Sequence, residues 1–241
     1  MKILQLLFIS LAAFSGCTKK ANVPVINSND TTTVKMTQYG TITYLALGDS
    51  YTYGQSEPQD LSFPYQLVST LKANSSFYIP APTVIATTGW TTEDLIDAIA
   101  SSNIHTDKYS IVTLLIGVND QFRGLPQSEY QVNFQQLLNT AINFASGDTS
   151  RVFVLSIPDY GVTPFANGQD SVIGPQIDQF NAINKAISIK AGVNYIDITA
   201  ISREAATDPT LIAPDGLHPS GKMYGDWIQK LEPLVLARLK K

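Results

Sequence analysis

Short apolar runs alternate with longer amphipathic stretches from Thr41 onward. The apolar runs are rich in β-branched and aromatic residues: TITYLALG (41–48), TVIATTG (83–89), YSIVTLLIG (109–117), RVFVLSIP (151–158) and NYIDIT (194–199). Nearly continuous apolar runs of this length are typical of strands that are buried on both faces. The amphipathic stretches between the runs predict helices at about 63–74, 91–102, 128–146, 175–191 and 220–239.

An alternation of strands and helices indicates a parallel sheet that is covered by helices on both sides. The sequence therefore predicts the α/β class and a flavodoxin-like three-layer α/β/α sandwich around a mostly parallel, five-stranded sheet. The chain of 241 residues has a length that suits one such domain, which we place at residues 41–241.

The N-terminal segment has the layout of an export signal. Met1 and Lys2 supply positive charge, residues 3–14 are almost wholly apolar, and small residues precede Cys17. The apolar run is shorter than the about 20 residues that a membrane-spanning helix needs. We therefore expect residues 1–16 to be a signal peptide.

Cys17 is the only cysteine of the chain, and with Ser-Gly before it the segment resembles a bacterial lipobox. The resemblance implies cleavage before Cys17 and a lipid on its thiol, and hence an exported lipoprotein of the bacterial cell envelope. The alternative is an ordinary signal peptide and a free thiol. The polar residues 17–40 suggest a flexible tether. The residue after Cys17 is Thr18 and not the Asp that often signals retention in the inner membrane, which favours the outer membrane.

Composition and motifs exclude several classes of function. A net charge of −4 gives no basic field, so we expect no nucleic-acid partner. Two histidines and one lipid-anchored cysteine do not supply a zinc site, so we expect no metal and no cofactor. The chain also lacks a GxxxxGK[ST] loop, a GxGxxG fingerprint and a GxSxG elbow.

Residues with catalytic chemistry follow the ends of the predicted strands. The first strand ends at Gly48-Asp49-Ser50, the second at Gly89-Trp90 and the third at residues 117–120, which read GVND. A further block, Asp215-Gly216-Leu217-His218, precedes the last helix. Because binding sites of open parallel sheets form at the carboxyl ends of the strands, we expect these blocks to meet at one edge.

Ser50 is the candidate nucleophile, and it needs a neighbouring base to accept its proton. Of the two histidines, His105 lies before the third strand, where we expect an exposed loop residue, so His218 is the candidate base. Asp215 is near enough along the chain to accept a hydrogen bond from the His218 Nδ1–H and so to orient the ring. Taken alone, Asp215-Gly216 also fits a simple turn.

Three groups are candidate donors to the oxyanion that forms during attack on an ester. They are the backbone N–H groups of Ser50 and Gly89 and the side-chain amide of Asn119. Gly89 also fits a tight turn, and Asn119 also fits an Asx turn with Asp120. For Asp49 and Asp120 we expect structural roles and not general-base catalysis.

Together, these blocks resemble the GDSL, or SGNH, hydrolase family, whose four motifs occur here in the same order between about residues 41 and 225. The resemblance implies that Ser50 is the nucleophile, Gly89 and Asn119 are oxyanion donors, and His218 and Asp215 are the base and its orienting acid. Tyr51 stands where the family's GDSL motif has Leu, which affects the wall of the pocket and not the chemistry. The family includes esterases, lipases, lysophospholipases, thioesterases and carbohydrate deacetylases.

Aromatic residues after the strand ends are candidates for substrate binding. They are Tyr51, Trp90, Phe122 and Tyr160, with Tyr53 as a weaker candidate. The long connection at 158–174 suggests a lid or a substrate wall. Ordinary packing under loops is the alternative for each aromatic residue. Arg123 is a candidate for binding an anionic group, with a solvated surface position as the alternative.

The sequence therefore predicts a serine esterase that forms an acyl-enzyme and acts on a small ester, such as a short acyl ester, a lipid or a lysophospholipid. A carbohydrate acetylesterase is the alternative within the same chemistry. A non-catalytic lipoprotein that binds glycan or lipid is the alternative from another class. The lipid anchor would make the membrane a partner in every case.

Overall fold

The computed structural model describes residues 40–240, which form an α/β sandwich around one sheet. Its strands are β1 Tyr44–Gly48, β2 Thr83–Ala86, β3 Ile111–Leu115, β4 Val152–Leu155 and β5 Asn194–Ile196. All neighbouring pairs are parallel, in the order β2-β1-β3-β4-β5. This is the flavodoxin-like order, and the predicted fold class is confirmed.

Eight helices accompany the sheet in the described residues: α1 Ser50–Tyr53, α2 Phe63–Asn74, α3 Thr92–Ser101, α4 Val118–Phe122, α5 Gln127–Phe144, α6 Asp170–Ala191, α7 Thr199–Arg203 and α8 Gly221–Leu239. Helix α2 packs against α8, and α5 packs against both α3 and α6. These two groups of helices are the outer layers of the sandwich.

The predicted elements differ from the observed ones mainly at their ends. Each strand except β1 ends before its apolar run does, because the last residues of the run enter the loops above the sheet, whereas β1 omits the first residues of its run. The apolar pattern does not predict the short helices α1, α4 and α7. Helix α6 begins at Asp170 and continues through Pro175, whereas the sequence predicts a start at 175.

The central strands explain why the sheet is rigid at the site. Every residue of β1, β3 and β4 is buried. In the register of the sheet Gly48 pairs with Leu115, so β1 and β3 end side by side. The loops that follow them, which carry Ser50 and Asn119, are therefore neighbours.

In the part of the chain from 40 to 240, no helix is long and apolar enough to cross a membrane. The predicted signal peptide, the tether up to Tyr39 and the lipidation site Cys17 lie outside the described residues, so these assignments remain predictions.

Candidate active site

Ser50 is the first residue of α1, directly after β1. The Asp49 side chain caps this short helix by accepting a hydrogen bond from the Tyr51 N–H at 3.0 Å. A side chain on Gly48 would collide with Thr52 and with the Leu115 carbonyl, which explains the glycine before the turn. The tight turn holds the Ser50 hydroxyl at the mouth of the central strand.

Asp215 and His218 form a short hydrogen-bonded pair. The distance between His218 Nδ1 and Asp215 Oδ2 is 2.6 Å, and the His218 side chain is 9% exposed. Asp215 Oδ1 also accepts the backbone N–H groups of Leu217 and His218, each at 3.0 Å. The loop therefore folds back so that its carboxylate fixes the ring, as the sequence predicts.

Ser56 is a further partner of Asp215 that the sequence does not indicate. Its hydroxyl donates to Asp215 Oδ2 at 2.6 Å, across 159 residues of chain. Partial burial acts to raise the pKa of Asp215, but hydrogen bonds from Ser56 and His218 outweigh it and hold that pKa well below its ordinary value. The carboxylate is thus ionised and held in place from two sides.

Asn119 and Gly89 lie on the loops that flank Ser50. The Asn119 side-chain amide donates one hydrogen to the Trp90 carbonyl at 2.9 Å, and its second N–H can serve another acceptor. Gly89 has φ +86°, a left-handed conformation that favours glycine.

Arg123 supports the Gly89 loop. Its guanidinium donates to the Gly89 carbonyl at 2.5 Å and lies 3.8 Å from the Asp94 carboxylate. Its side chain is half exposed, which agrees with the predicted solvated position, but the sequence does not indicate the contact with Gly89. Arg123 thereby positions Gly89, whose backbone N–H is a candidate oxyanion donor.

Asp120 has a structural role, which agrees with the prediction from the sequence. Its carboxylate accepts both the hydroxyl of Thr92, at 2.5 Å, and the backbone N–H of Thr92, at 3.0 Å. It thereby ties α4 to the first turn of α3. Burial is the main cause that raises the pKa of Asp120.

Asp49 is buried beneath the nucleophile turn. Burial raises its pKa to about 8, and the negative charge of Asp120 adds to the effect. Its Oδ2 atom has no hydrogen-bond partner among the described residues. A protonated carboxyl is consistent with a structural role for Asp49 and not with a general base.

A single cavity of about 130 Å³ brings the candidate residues together. Its lining residues are Ser50, Tyr51, Thr88, Gly89, Val118, Asn119, Phe122, Tyr160, Phe165, Leu217 and His218. The Tyr51 ring packs edge-on against the His218 ring, with 5.8 Å between centroids. The lining is mostly apolar, and we refer to it below as the Ser50 cavity.

Not every predicted residue reaches this cavity. The Trp90 side chain is absent from its lining and packs, partly buried, against the hydrophobic core. Tyr53 is 54% exposed and also lies outside the cavity lining. His105 is exposed, as expected.

The connection at 158–174, for which the sequence suggests a lid or a substrate wall, has local helical structure. It forms two 3₁₀ turns, Tyr160–Val162 and Pro164–Ala166, and then enters α6. Its Phe165, which the sequence does not single out, lines the Ser50 cavity, and its backbone N–H donates to the Gly216 carbonyl at 3.0 Å. The segment therefore serves as a wall that is attached to the loop of Asp215 and His218.

This arrangement has the groups that acyl transfer requires. A hydroxyl, an imidazole with an ionised carboxylate behind it, and amide donors line one largely apolar cavity at the carboxyl edge of the sheet. The sequence pattern of the GDSL-like lipase/acylhydrolase family matches residues 46–225, which include all of these groups. The chain belongs to this family. It is therefore a carboxylic ester hydrolase, and the predicted family is confirmed.

Solved structures share the fold of this GDSL-like hydrolase. A lipase/acylhydrolase from Enterococcus faecalis has a TM-score of 0.65 at 18% identity and covers 82% of this chain and 96% of its own. The acetylxylan esterase Axe2 from Geobacillus stearothermophilus has a TM-score of 0.62 at 21% identity, covering 85% and 97%. No curated protein sequence matches the chain significantly.

The psychrotrophic esterase EstA from Pseudoalteromonas sp. is a third structural neighbour. It has a TM-score of 0.61 at 18% identity and covers 83% of this chain and 99% of its own. At these identities the likeness concerns the fold of the GDSL-like hydrolase and leaves its substrate open.

Proposed function

We propose that this protein is a serine esterase that hydrolyses short acyl esters through Ser50, His218 and Asp215. The observation that carries the proposal is the 2.6 Å contact between Asp215 Oδ2 and His218 Nδ1 in a loop whose imidazole lines the same cavity as Ser50. The contact assigns the Nδ1 proton to the carboxylate side and leaves Nε2 to act as base.

The reaction proceeds in two steps. The Ser50 oxygen attacks the ester carbonyl carbon while His218 takes the hydroxyl proton, and the tetrahedral oxyanion lies near the Asn119 amide and the Ser50 and Gly89 N–H groups. The bond from carbon to the alcohol oxygen then breaks, and that oxygen leaves with the proton from His218. A water, deprotonated by the same imidazole, releases the acid and restores Ser50.

The size of the cavity supports a short acyl group. At about 130 Å³ it is smaller than the about 300–1,000 Å³ of pockets that enclose drug-sized ligands. Val118, Leu217 and Phe165 give it apolar walls that suit an acetyl or butyryl chain. A long acyl chain would extend beyond this space.

The test of the catalytic proposal is hydrolysis of p-nitrophenyl butyrate by the full chain and by Ser50→Ala. Because a serine nucleophile acts as a unit with its base, we expect kcat to fall by about a thousandfold or more in the variant. Equal rates for both proteins would contradict the proposal and favour a non-catalytic binding lipoprotein.

A series of p-nitrophenyl esters from acetyl to octanoyl tests the acyl length. We expect kcat/KM to be greatest for acetyl or butyryl and to decrease for longer chains, because the Ser50 cavity is small. A maximum at octanoyl would contradict the short-acyl proposal while leaving the serine mechanism in place.

We also propose that the enzyme is exported and anchored by a lipid on Cys17, on the lipobox-like sequence before that residue. Acyl chains contribute about 0.8 kcal/mol per buried CH₂ to membrane binding, so several chains anchor a protein stably. Labelled fatty acid fed to an expressing bacterium should appear in the protein and in the membrane fraction. Label that is retained in Cys17→Ser would contradict the assignment.

A further inference from the structure

A second, larger cavity adjoins the Ser50 cavity. It has a volume of about 350 Å³ and lies between α4, the two 3₁₀ turns and the first half of α6. Its lining residues are Gln121, Phe122, Gly124, Tyr160, Phe165, Ala166, Gln169, Val172, Ile173 and Gln176. Three of them, Phe122, Tyr160 and Phe165, also line the Ser50 cavity, so the two spaces share an aromatic wall.

The shared wall is a cluster of three aromatic rings. The ring centroid of Phe122 lies 6.1 Å from those of both Tyr160 and Phe165, and the latter two are 6.4 Å apart. Phe122 is 58% exposed and Phe165 is 50% exposed. Two neighbouring phenyl rings on the surface are an apolar patch of the kind that marks a binding groove.

The polar part of the lining consists of amides and no charges. In the described residues, this lining has no Asp, Glu, Lys or Arg, and its polar side chains are Tyr160 and the three glutamines Gln121, Gln169 and Gln176. Burial raises the pKa of Tyr160, which keeps its hydroxyl neutral at physiological pH. The cavity is therefore built for neutral groups that both donate and accept hydrogen bonds.

Gln121 and Gln176 are linked in a way that leaves hydrogen-bonding capacity. Gln121 Nε2 donates to Gln176 Oε1 at 2.7 Å, while the buried Gln121 Oε1 has no partner within residues 40–240. Because that oxygen is enclosed by the protein, a ligand in the cavity meets the exposed Gln176 instead, whose Nε2 group can donate to a hydroxyl.

We propose that this second cavity binds the alcohol half of the ester, and that this half is a neutral, hydroxyl-rich ring, so that the substrate is an acylated sugar. The apolar face of a sugar ring packs on Phe122 and Phe165, and its hydroxyls bond to the glutamine amides. The acyl group then lies in the Ser50 cavity, and the sugar oxygen leaves with the proton from His218. A phosphate-bearing lysolipid lacks a cationic partner here.

The proposal rests on the proposed esterase function, and a pair of acetates tests it. 6-O-Acetylglucose and ethyl acetate release the same acid from a primary alcohol and differ in the ring. We expect kcat/KM of the full chain to be at least tenfold higher for the sugar ester. An acetyl ester of glycerophosphocholine should show no such advantage.

Two variants test whether the preference for the sugar ester arises in the second cavity. Val172→Trp fills the second cavity from an exposed position on α6, and Gln176→Ala removes an amide. Each should reduce the ratio of sugar-ester to ethyl-acetate kcat/KM about tenfold. The matched control is Gln179→Ala, an exposed glutamine one turn further along α6 that bonds to Gln127 and lies outside the lining. Equal ratios in Val172→Trp and in the unaltered protein would overturn the proposal, as would a sugar ester that is no better than ethyl acetate.

Failure of the esterase function gives a different pattern. If hydrolysis of both acetates is independent of Ser50, the catalytic proposal fails, and saturation-transfer NMR with methyl glucoside then decides the binding site on its own. A transfer signal that Val172→Trp abolishes and Gln179→Ala retains supports the sugar cavity. The absence of a signal in the full chain overturns it.

Discussion

Among single residues, Ser56 is notable because it adopts an unfavourable backbone conformation next to the Asp215 carboxylate. Its φ of +69° lies in the left-handed region, which is uncommon for residues other than glycine. Its hydroxyl contacts the same Asp215 oxygen as His218 Nδ1. Strain at such a position is retained where the surrounding structure requires it, as at a catalytic loop.

Replacement of Ser56 by alanine should therefore impair turnover more than substrate binding. Loss of one hydrogen bond to a charged group costs about 1.5–3 kcal/mol when it is enclosed, and less here because the contact is exposed. We expect kcat to fall about 3–10-fold with KM little changed, as measured with p-nitrophenyl butyrate. Ser146→Ala, at a remote exposed serine with φ +59°, is the control and should retain full kcat. A fall of the same size in both variants would indicate a general backbone effect.

The raised pKa of Asp49 predicts a pH dependence of stability. The unfolded carboxyl ionises near the ordinary aspartate pKa of 3.8, whereas the folded one ionises at about 8, so the native state holds the extra proton between these values. Stability therefore decreases as the pH rises through this window. Urea unfolding should give a free energy at least about 1 kcal/mol lower at pH 8.5 than at pH 5.5.

Asp49→Asn should reduce that decrease, because the amide keeps an acceptor for the Tyr51 N–H and does not ionise. A decrease that is as large in Asp49→Asn as in the unaltered protein would show that Asp49 is not its source.

The sequence predicts some contacts between the residues of the site and not others. The link between Asp215 and His218 spans three positions of one loop, so the sequence reveals it. The link between Ser56 and Asp215 joins two distant loops, and no local pattern encodes it. The apolar run that ends at Gly89 predicts that Trp90 follows a strand end and lies in the pocket, but β2 ends at Ala86 and Trp90 packs against the core.

At the scale of elements, the loop after β2 depends on a residue from α4's end. Arg123 follows α4 and holds the Gly89 carbonyl, and Gly89 is one of the proposed oxyanion donors. Apolar periodicity predicts the strands and long helices, but it misses α1, α4 and α7, which have only four or five residues. Such short helices depend on caps and tertiary contacts and not on a repeating pattern.

Arg123→Leu should loosen the Gly89 loop and lower kcat about 3–10-fold. Its ion pair with Asp94 is exposed, so stability should change by less than about 1 kcal/mol. Arg151→Leu, which removes a remote pair with Asp148, serves as the control and should leave kcat unaltered. An unchanged kcat in Arg123→Leu would show that the position of the Gly89 peptide does not affect oxyanion stabilisation.

Across the whole molecule, a buried polar network joins α6 to the end of β4 and to α7. The Asn181 side chain accepts the Ile157 N–H at 2.8 Å and donates to the Ile157 carbonyl at 2.9 Å and to Thr199 Oγ1 at 3.0 Å. Asn181 thereby fixes the backbone at Ile157, just before the 3₁₀ turn that begins at Tyr160. The sequence predicts the layers that this network joins but not the network, since its contacts depend on how α6 lies on the sheet.

Asn181→Ala should leave the Ile157 N–H unpaired in the interior, while the Ile157 carbonyl keeps only its bond from the Thr199 hydroxyl. We expect the free energy of unfolding to decrease by about 2–4 kcal/mol, measured by urea denaturation. Asn139→Ala, on the exposed side of α5, should change it by less than about 0.5 kcal/mol. A decrease below about 1 kcal/mol for Asn181→Ala would mean that water replaces the lost bonds.

The hydrogen bond from the Phe165 N–H to the Gly216 carbonyl has a consequence for evolution and engineering. It joins the wall of the Ser50 cavity to the loop that carries His218, the proposed base. Libraries that randomise the wall to accept a new alcohol will therefore yield many clones with slow turnover, and compensating changes should accumulate around Gly216. Under the proposed mechanism, a change in substrate preference therefore also changes the turnover rate.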